Sequence, residues 1–218
     1  MSATTRLIVP NEEKQNIPTD WQIVRLSDLC AQDRQIVEPN SATAIQLPYL
    51  GLEHIESNTG RILKPVSDVD NCEGKSTTFA FDERHVLYGK LRPYLNKVAL
   101  PDGKGRCTTE LIPLLPHAGV SRRYLAWLLR RPTSVAAAMK EKTGSRMPRA
   151  SMTHVLALRV AIPKKIAPQE RLADLLDIRM HAIEKAKKNL LDQLELVDTL
   201  FMLVLEHFPD SVTKSKLD

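Results

Sequence analysis

The chain has 218 residues, 43% of them hydrophobic, and a formal net charge of +5 at neutral pH, enough for one cored domain with an appendage. No apolar run approaches the ~20 residues that cross a bilayer, and residues 1–15 lack the apolar core of a secretory signal. Three dispersed cysteines (Cys30, Cys72, Cys107) with no CxxC pair exclude a disulfide framework and a zinc ribbon, so reduced thiols in a cytoplasmic protein are expected.

Residues 1–16 are polar and read as a flexible lead-in. Ile17-Pro18-Thr19-Asp20-Trp21 opens the globular part, with a strand over 22–26 and a brief helical turn capped by Ser27-Asp28. Residues 32–46 read as loop. A strand is expected over 48–55, followed by the turn Ser57-Asn58-Thr59-Gly60. Further strands are expected over 61–67, 76–81, 84–91 and 96–100. Pro101-Asp102-Gly103 then turns the chain into a strand over 106–115, which reads as a hairpin. Residues 121–129 and 133–142 carry helical patterns, and 155–162 reads as an apolar strand ending at Pro163. Pro168 stands where the first turn of a helix tolerates it.

Residues 169–208 contain neither Gly nor Pro. Leu176, Met180, Ile183, Lys187, Leu190, Leu194, Val197, Phe201, Val204 and Phe208 recur at alternating steps of four and three. That 3.5-residue period marks a helix that supercoils with another, ~60 Å long at 1.5 Å per residue. Leu176, Met180, Ile183, Leu190, Leu194, Val197, Phe201 and Val204 are therefore the expected dimerisation seam. Leu175, Ala182, Ala186, Leu191, Leu200 and Leu205 widen the apolar face. Lys187, at a seam position, either fixes register or extends its ammonium to water. The competing reading is a long amphipathic helix packed on its own domain. Pro209 stops the helix, and 209–218 is a tail.

Charge is unevenly spread. Residues 1–83 carry seven Lys/Arg against thirteen Asp/Glu, whereas residues 84–165 carry seventeen against three. Three acids leave few internal partners for so many cations, which points to a polyanion partner, most simply nucleic acid. A solvated basic face is the alternative. Within this block, Lys90, Arg92 and Lys97 interleave with Tyr88 and Tyr94 in Val86-Leu87-Tyr88-Gly89-Lys90-Leu91-Arg92-Pro93-Tyr94-Leu95-Asn96-Lys97-Val98. Cations so spaced meet successive phosphates, and a Tyr stacks or donates a hydrogen bond. Thr143-Gly144-Ser145-Arg146-Met147-Pro148-Arg149 puts flexible backbone beside two guanidinium forks, which suit a guanine edge or a phosphate. A charged surface loop would look the same.

Together these stretches resemble the specificity subunits of type I restriction–modification systems. The resemblance runs from Pro18-Thr19-Asp20-Trp21 through Tyr49-Leu50-Gly51-Leu52-Glu53-His54-Ile55, the 86–98 stretch, Cys107-Thr108-Thr109-Glu110 and Thr143-Gly144-Ser145-Arg146-Met147-Pro148. It continues to Ile162-Pro163 and Pro168-Gln169-Glu170-Arg171-Leu172-Ala173, and so covers about residues 17–208. It implies an α+β fold: a β-rich target-recognition domain (17–168), then a long C-terminal coiled-coil helix (169–208) serving as spacer. The implied partners are double-stranded DNA, a methyltransferase (M) subunit and, where the complex cleaves, a restriction (R) subunit. Family members usually carry two recognition domains and two helix segments. This chain has one of each, which leads to the expectation of a homodimer with an antiparallel helix pair reading an inverted, split target, with pairing of the helix inside a larger heteromer as the alternative. The expected DNA contacts are Lys90, Arg92, Tyr94, Lys97, Arg146 and Arg149, with Thr108, Thr109, Ser145, Tyr49 and His54 as weaker candidates. Tyr88 and Leu91 are expected in the core.

No catalysis is expected of the chain itself. It has no Asn/Asp-Pro-Pro-aromatic segment or Gly-rich cofactor loop of an adenine methyltransferase, no nuclease carboxylate pattern, and no metal-ligand spacing among its histidines. No cofactor and no metal are expected. The alternatives are a stand-alone nucleic-acid-binding regulatory dimer without a methyltransferase partner, and an interaction scaffold whose basic block meets an acidic protein.

Overall fold

The structure is a computed structural model, and it describes residues 17–39, 41–64, 76–140, 142–144 and 146–206. In chain order, β1 (Trp21–Arg25) leads through a 3-10 turn (Leu26–Asp28) into β2 (Cys30–Gln32), β3 (Ile36–Val37), α1 (Ala42–Gln46) and β4 (Tyr49–Leu50). After a second 3-10 turn (Leu52–His54) come β5 (Thr78–Phe81), β6 (Val86–Gly89), a third 3-10 turn (Pro93–Leu95), β7 (Val98–Ala99), β8 (Gly105–Thr108) and β9 (Leu111–Pro116). Then follow α2 (Arg122–Arg130), α3 (Pro132–Lys140), β10 (Lys142–Thr143), β11 (Arg149–Ala150), α4 (Met152–Ala157), β12 (Arg159–Pro163) and α5 (Ile166–Glu206). The fold is therefore α+β: a β-rich body followed by one long helix. The chain divides into two compact units, Met1–Ala173 and Asp174–Asp218.

The first unit is built on two four-stranded sheets, ordered β2-β9-β6-β7 and β3-β5-β8-β4. The first is antiparallel throughout; in the second, β4 runs parallel to β8. β6 is buried along its whole length, as expected of a strand covered on both faces. Its alternating side chains serve two cores. Val86 and Tyr88 join Ile112, Leu114 and the α2 residues Tyr124, Leu125, Leu128 and Leu129. Leu87 points the other way, with Ala99 and Leu111, onto Leu50, Phe81 and Cys107 of the second sheet. The first sheet is thus sandwiched between helices and a second sheet. Ser121 caps α2, its Oγ accepting from Tyr124 N at 3.2 Å.

The ribbon β1–β12 joins the start of the unit to its end, pairing Trp21 with Pro163 and Arg25 with Arg159. α5 begins at Ile166, inside this unit, with Pro168 in its first turn. Gln169 is fully buried there. Its Oε1 accepts from Ser121 N (2.8 Å), while its Nε2 donates to the carbonyls of Pro163 (2.9 Å) and Gly119 (3.2 Å). Ala173 enters the same core as α2.

Several sequence expectations change. The Pro101-Asp102-Gly103 turn does not make a hairpin: β7 pairs with β6, whereas β8 pairs with β5 and β4 in the other sheet. The turn signal fixes a reversal of direction, not a partner. Residues 106–115 are two strands, and the chain changes sheets at Thr109-Glu110. The 48–55 strand is two residues long before it tightens into a 3-10 turn, and the 32–46 loop holds β3 and α1. The apolar run 155–162 divides into the end of α4 and β12, because a continuous apolar run carries no period to distinguish helix from strand. Of the 61–67 strand, Ile62 makes a single bridge to Ile55, and 65–67 lie outside the described residues.

The second unit, considered by itself, is the remainder of α5. Along the seam, Ile183, Leu190, Leu194, Val197, Phe201 and Val204 are exposed, and Leu176 and Met180 are half-buried. Off the seam, Ile178, Leu191, Leu196, Leu200, Met202, Leu203 and Leu205 are exposed as well, so residues 200–205 are apolar on every side. Phe208 lies outside the described residues. No described helix is long and apolar enough to cross a membrane.

Candidate nucleic-acid interface

The two cationic stretches far apart in sequence meet in one short ladder. β6 ends at Gly89, and the chain continues through Lys90 and Leu91 to Arg92. Against it lies the hairpin β10–β11, in which Lys142 pairs with Ala150 and Thr143 with Arg149. Ala150 N donates to the Lys90 carbonyl (2.8 Å), Arg92 N donates to the Pro148 carbonyl (2.7 Å), and Leu91 bridges Arg149. Gly144 makes the hairpin turn possible with φ of +80°, a conformation open to glycine at little cost. Arg92 and Arg146 are exposed, Met147 is exposed beside Arg146, and Tyr94 is half-exposed two residues beyond Arg92.

Arg92 sits at φ +49°, ψ +65°, and Asn96 is also left-handed, on either side of the 3-10 turn at 93–95. The kink is fixed by Leu95 N donating to the Arg92 carbonyl (2.9 Å) and by Asn96 Nδ2 donating to the Arg130 carbonyl (3.0 Å). It swings the chain off the sheet, so Arg92 and Tyr94 follow one another on an exposed corner.

Glu110 closes the ladder from a third segment, the connection between β8 and β9. Its carbonyl accepts from Lys90 N (2.9 Å), its Oε1 accepts from Arg149 Nε (2.8 Å), and Lys90 Nζ lies 3.9 Å from its Oε2. Thr108, whose Oγ1 accepts from Glu110 N (3.4 Å), and Thr109 are half-buried next to it. Sequence reasoning did not single out Glu110 as a site residue. The available signal was its rarity: the three acids of the basic block are Asp102, Glu110 and Glu141.

Other candidates are spent inside the fold. Lys97 Nζ donates to the Leu52 carbonyl (2.7 Å). Burial pushes that ammonium below its ordinary pKa, with Glu53 pulling the other way. Tyr49 lies edge-on to His54 at 6.3 Å and beneath the Arg106 guanidinium at 5.2 Å, and His54 Nδ1 accepts from Gly51 N. Ser145 lies outside the described residues. Tyr88 is buried, and burial pushes its hydroxyl up to about 12; Leu91 is half-buried.

The excess of cations over acids overstates the free positive charge, because many cations of the block find internal partners that are not acids. Arg106 is buried and donates to the carbonyls of Ala44 (2.9 Å) and Leu47 (3.2 Å). Arg122 donates to those of His85 (2.9 Å) and Pro101 (2.5 Å). Arg130 donates twice to Val98 and lies over the Trp127 ring at 5.1 Å. What stays at the surface in the ladder is Arg92 and Arg146, with Lys90 and Arg149 half-exposed around one carboxylate. Such a cluster can take successive backbone phosphates while a guanidinium fork reads a base edge. Among the described residues no cluster of His, Cys, Asp and Glu could hold a metal.

Compared with known proteins, residues 18–195 match the family model of the type I restriction modification DNA specificity domain. The specificity subunit of the type I restriction enzyme EcoDI from Escherichia coli is 26% identical over 124 residues, 55% of this chain and 26% of that protein. A chain from a structural study of complex assembly and conformational transition of the type I R-M system superposes with a TM-score of 0.74 at 20% identity, covering 89% of this chain and 51% of the other. The HsdS subunit from Thermoanaerobacter tengcongensis superposes with a TM-score of 0.68 at 18% identity, covering 91% of this chain and 52% of the other. The chain thus spans about half the length of these solved relatives, and at such identities the likeness is one of fold.

Proposed function

The chain belongs to the type I restriction–modification DNA specificity family, and on that premise we propose that residues 17–168 read one half of a split DNA target while residues 169–208 space and pair two copies. The observation that carries the DNA reading is the ladder of Lys90–Arg92 against Pro148–Ala150, which gathers the exposed cations of two distant stretches onto one edge. Arg92, Arg146 and Arg149 are the primary contacts, Lys90 and Tyr94 support them, and Thr108 and Thr109 flank them. Lys97, Tyr49 and His54 act behind the surface. Phosphate contacts supply affinity that falls steeply with salt.

The exposed seam of α5 supports the pairing. A soluble protein rarely leaves so long an apolar stripe uncovered, and two copies in antiparallel register would cover it and invert the second reader. The chain itself performs no chemistry; methylation, and cleavage where a restriction subunit joins, belong to the assembled complex, with the methyltransferase subunits docking on the helix pair. A DNA partner places the chain in the cytoplasm.

Selection from a randomised duplex pool, followed by sequencing of the bound fraction, should return an inverted repeat with a fixed gap. Arg92→Ala, Arg146→Ala and Arg149→Ala should each weaken binding to the selected duplex about tenfold. A pull-down should recover a methyltransferase subunit. Unchanged affinity in all three variants, or a pool with no enriched motif, counts against the reading.

A further inference from the structure

One carboxylate stands inside the cationic ladder, and its role is not accounted for by DNA contact. Glu110 joins three segments: its backbone carbonyl holds Lys90 N, its Oε1 holds Arg149 Nε at 2.8 Å, and its own N–H reaches Thr108 Oγ1 at 3.4 Å. Its Oε2 is shut off from solvent and accepts no hydrogen bond among the described residues, with Lys90 Nζ standing off at 3.9 Å. A carboxylate in this position does two things. By taking Nε it fixes the plane of the guanidinium and leaves the Nη pair as the edge directed away from the contact. That pair is the edge used in bidentate contact with guanine or phosphate. By its charge it offsets about one cation of the cluster, which lowers the attraction to any duplex regardless of sequence. Both effects favour discrimination over bare affinity.

We propose that Glu110 is a specificity-determining positioning residue, holding Arg149 in orientation for base readout and restraining sequence-independent binding by Lys90 and Arg149. This rests on the ladder being the DNA interface, so the test separates the two. Two probes are used with the full chain: a fluorescent duplex of scrambled sequence, titrated at several salt concentrations, and a randomised duplex pool whose bound fraction is sequenced. Glu110→Gln retains an acceptor for Nε but no charge. It should bind the scrambled duplex about three- to tenfold tighter, with a salt dependence steeper by about one ion, and select the same motif. Glu110→Ala loses both acceptor and charge. It should show the same tightening and, in addition, a motif flattened at one position. In an Arg149→Ala background, where that position is already flattened, Glu110→Ala should flatten nothing further, since no fork remains to be held.

Thermal unfolding confirms that each variant is folded, and the isosteric Gln variant carries the charge arm should the Ala variant unfold. The proposal is overturned if Glu110→Gln binds the scrambled duplex with unaltered affinity and salt dependence. It is equally overturned if Glu110→Ala flattens a further position in the chain that lacks Arg149. If Arg149→Ala alters selection while both Glu110 variants behave as the unmodified chain, only this inference falls. If Arg92→Ala, Arg146→Ala and Arg149→Ala change nothing either, the interface reading falls with it.

Discussion

Arg92 carries two separable properties, a side chain offered to solvent and a backbone in the left-handed region at φ +49°. That conformation costs a residue with a Cβ about 1–2 kcal/mol, and the bonds to Pro148 O and from Leu95 N hold it there. Arg92→Gly should therefore be more stable than Arg92→Ala by about 1 kcal/mol in urea unfolding, while both lose the same roughly tenfold in duplex affinity. If DNA affinity follows the stability order instead, the backbone and not the guanidinium is what matters. Lys97 should behave in the opposite way. Its ammonium sits on the Leu52 carbonyl, which also accepts from Ile55 N (3.2 Å), so Lys97→Met should leave duplex affinity near that of the unmodified chain and cost only about 1 kcal/mol of stability for the one lost hydrogen bond. The contrast shows where composition stops informing. Seventeen cations against three acids is visible in the sequence, but Arg106, Arg122, Arg130 and Lys97 are neutralised in effect by carbonyl dipoles from distant segments. Such acceptors exist at every residue, so no residue type marks them. The same limit hid Glu110: its partners are set by a ladder that only the folded chain assembles.

At the level of elements, what was legible had a period and a cap. α2 follows Ser121 and buries its apolar positions on one side, and α5 announces itself by the length that runs without Gly or Pro after Pro168. The strands lacked that redundancy. β7 and β8 flank a convincing turn yet join different sheets, because strand partners are chosen by which faces must be buried, and β6 already buries both of its own. The attachment of α5 was visible only as the residues Pro168-Gln169-Glu170, not as a mechanism. Gln169 supplies that mechanism by serving three backbone groups in two places: Gly119 and Ser121 in the connection ahead of α2, and Pro163 at the end of β12. Gln169→Leu keeps the volume and strands one buried donor and two buried acceptors. It should destabilise the unit Met1–Ala173 by about 2–4 kcal/mol, read as a lower urea midpoint with an unchanged slope. Retention of the original midpoint would mean that water takes over the role of the side chain.

For the whole molecule, the decisive quantity is how many readers engage one DNA. Two linked readers gain effective concentration, typically ~10²–10⁴ in apparent affinity, without any new contact to DNA. Leu194→Glu together with Phe201→Glu places charges on seam positions that are exposed in the single chain, so the fold of the chain should be unharmed while pairing is lost. Sedimentation should then show a monomer for this variant and a dimer for the unmodified chain. Duplex affinity should fall by at least about a hundredfold, and the pool should return a half-motif in place of an inverted repeat. Lys187 decides between two accounts of that seam. If its charge fixes register, Lys187→Leu should tighten the dimer but broaden the gap tolerated between half-motifs, because neighbouring registers become competitive. If the ammonium merely reaches water beside the seam, the gap should stay sharp and only the dimer should tighten. The gap distribution in the sequenced pool measures this directly, since in the proposed dimer the length of helix between the readers is the ruler and register is its zero point.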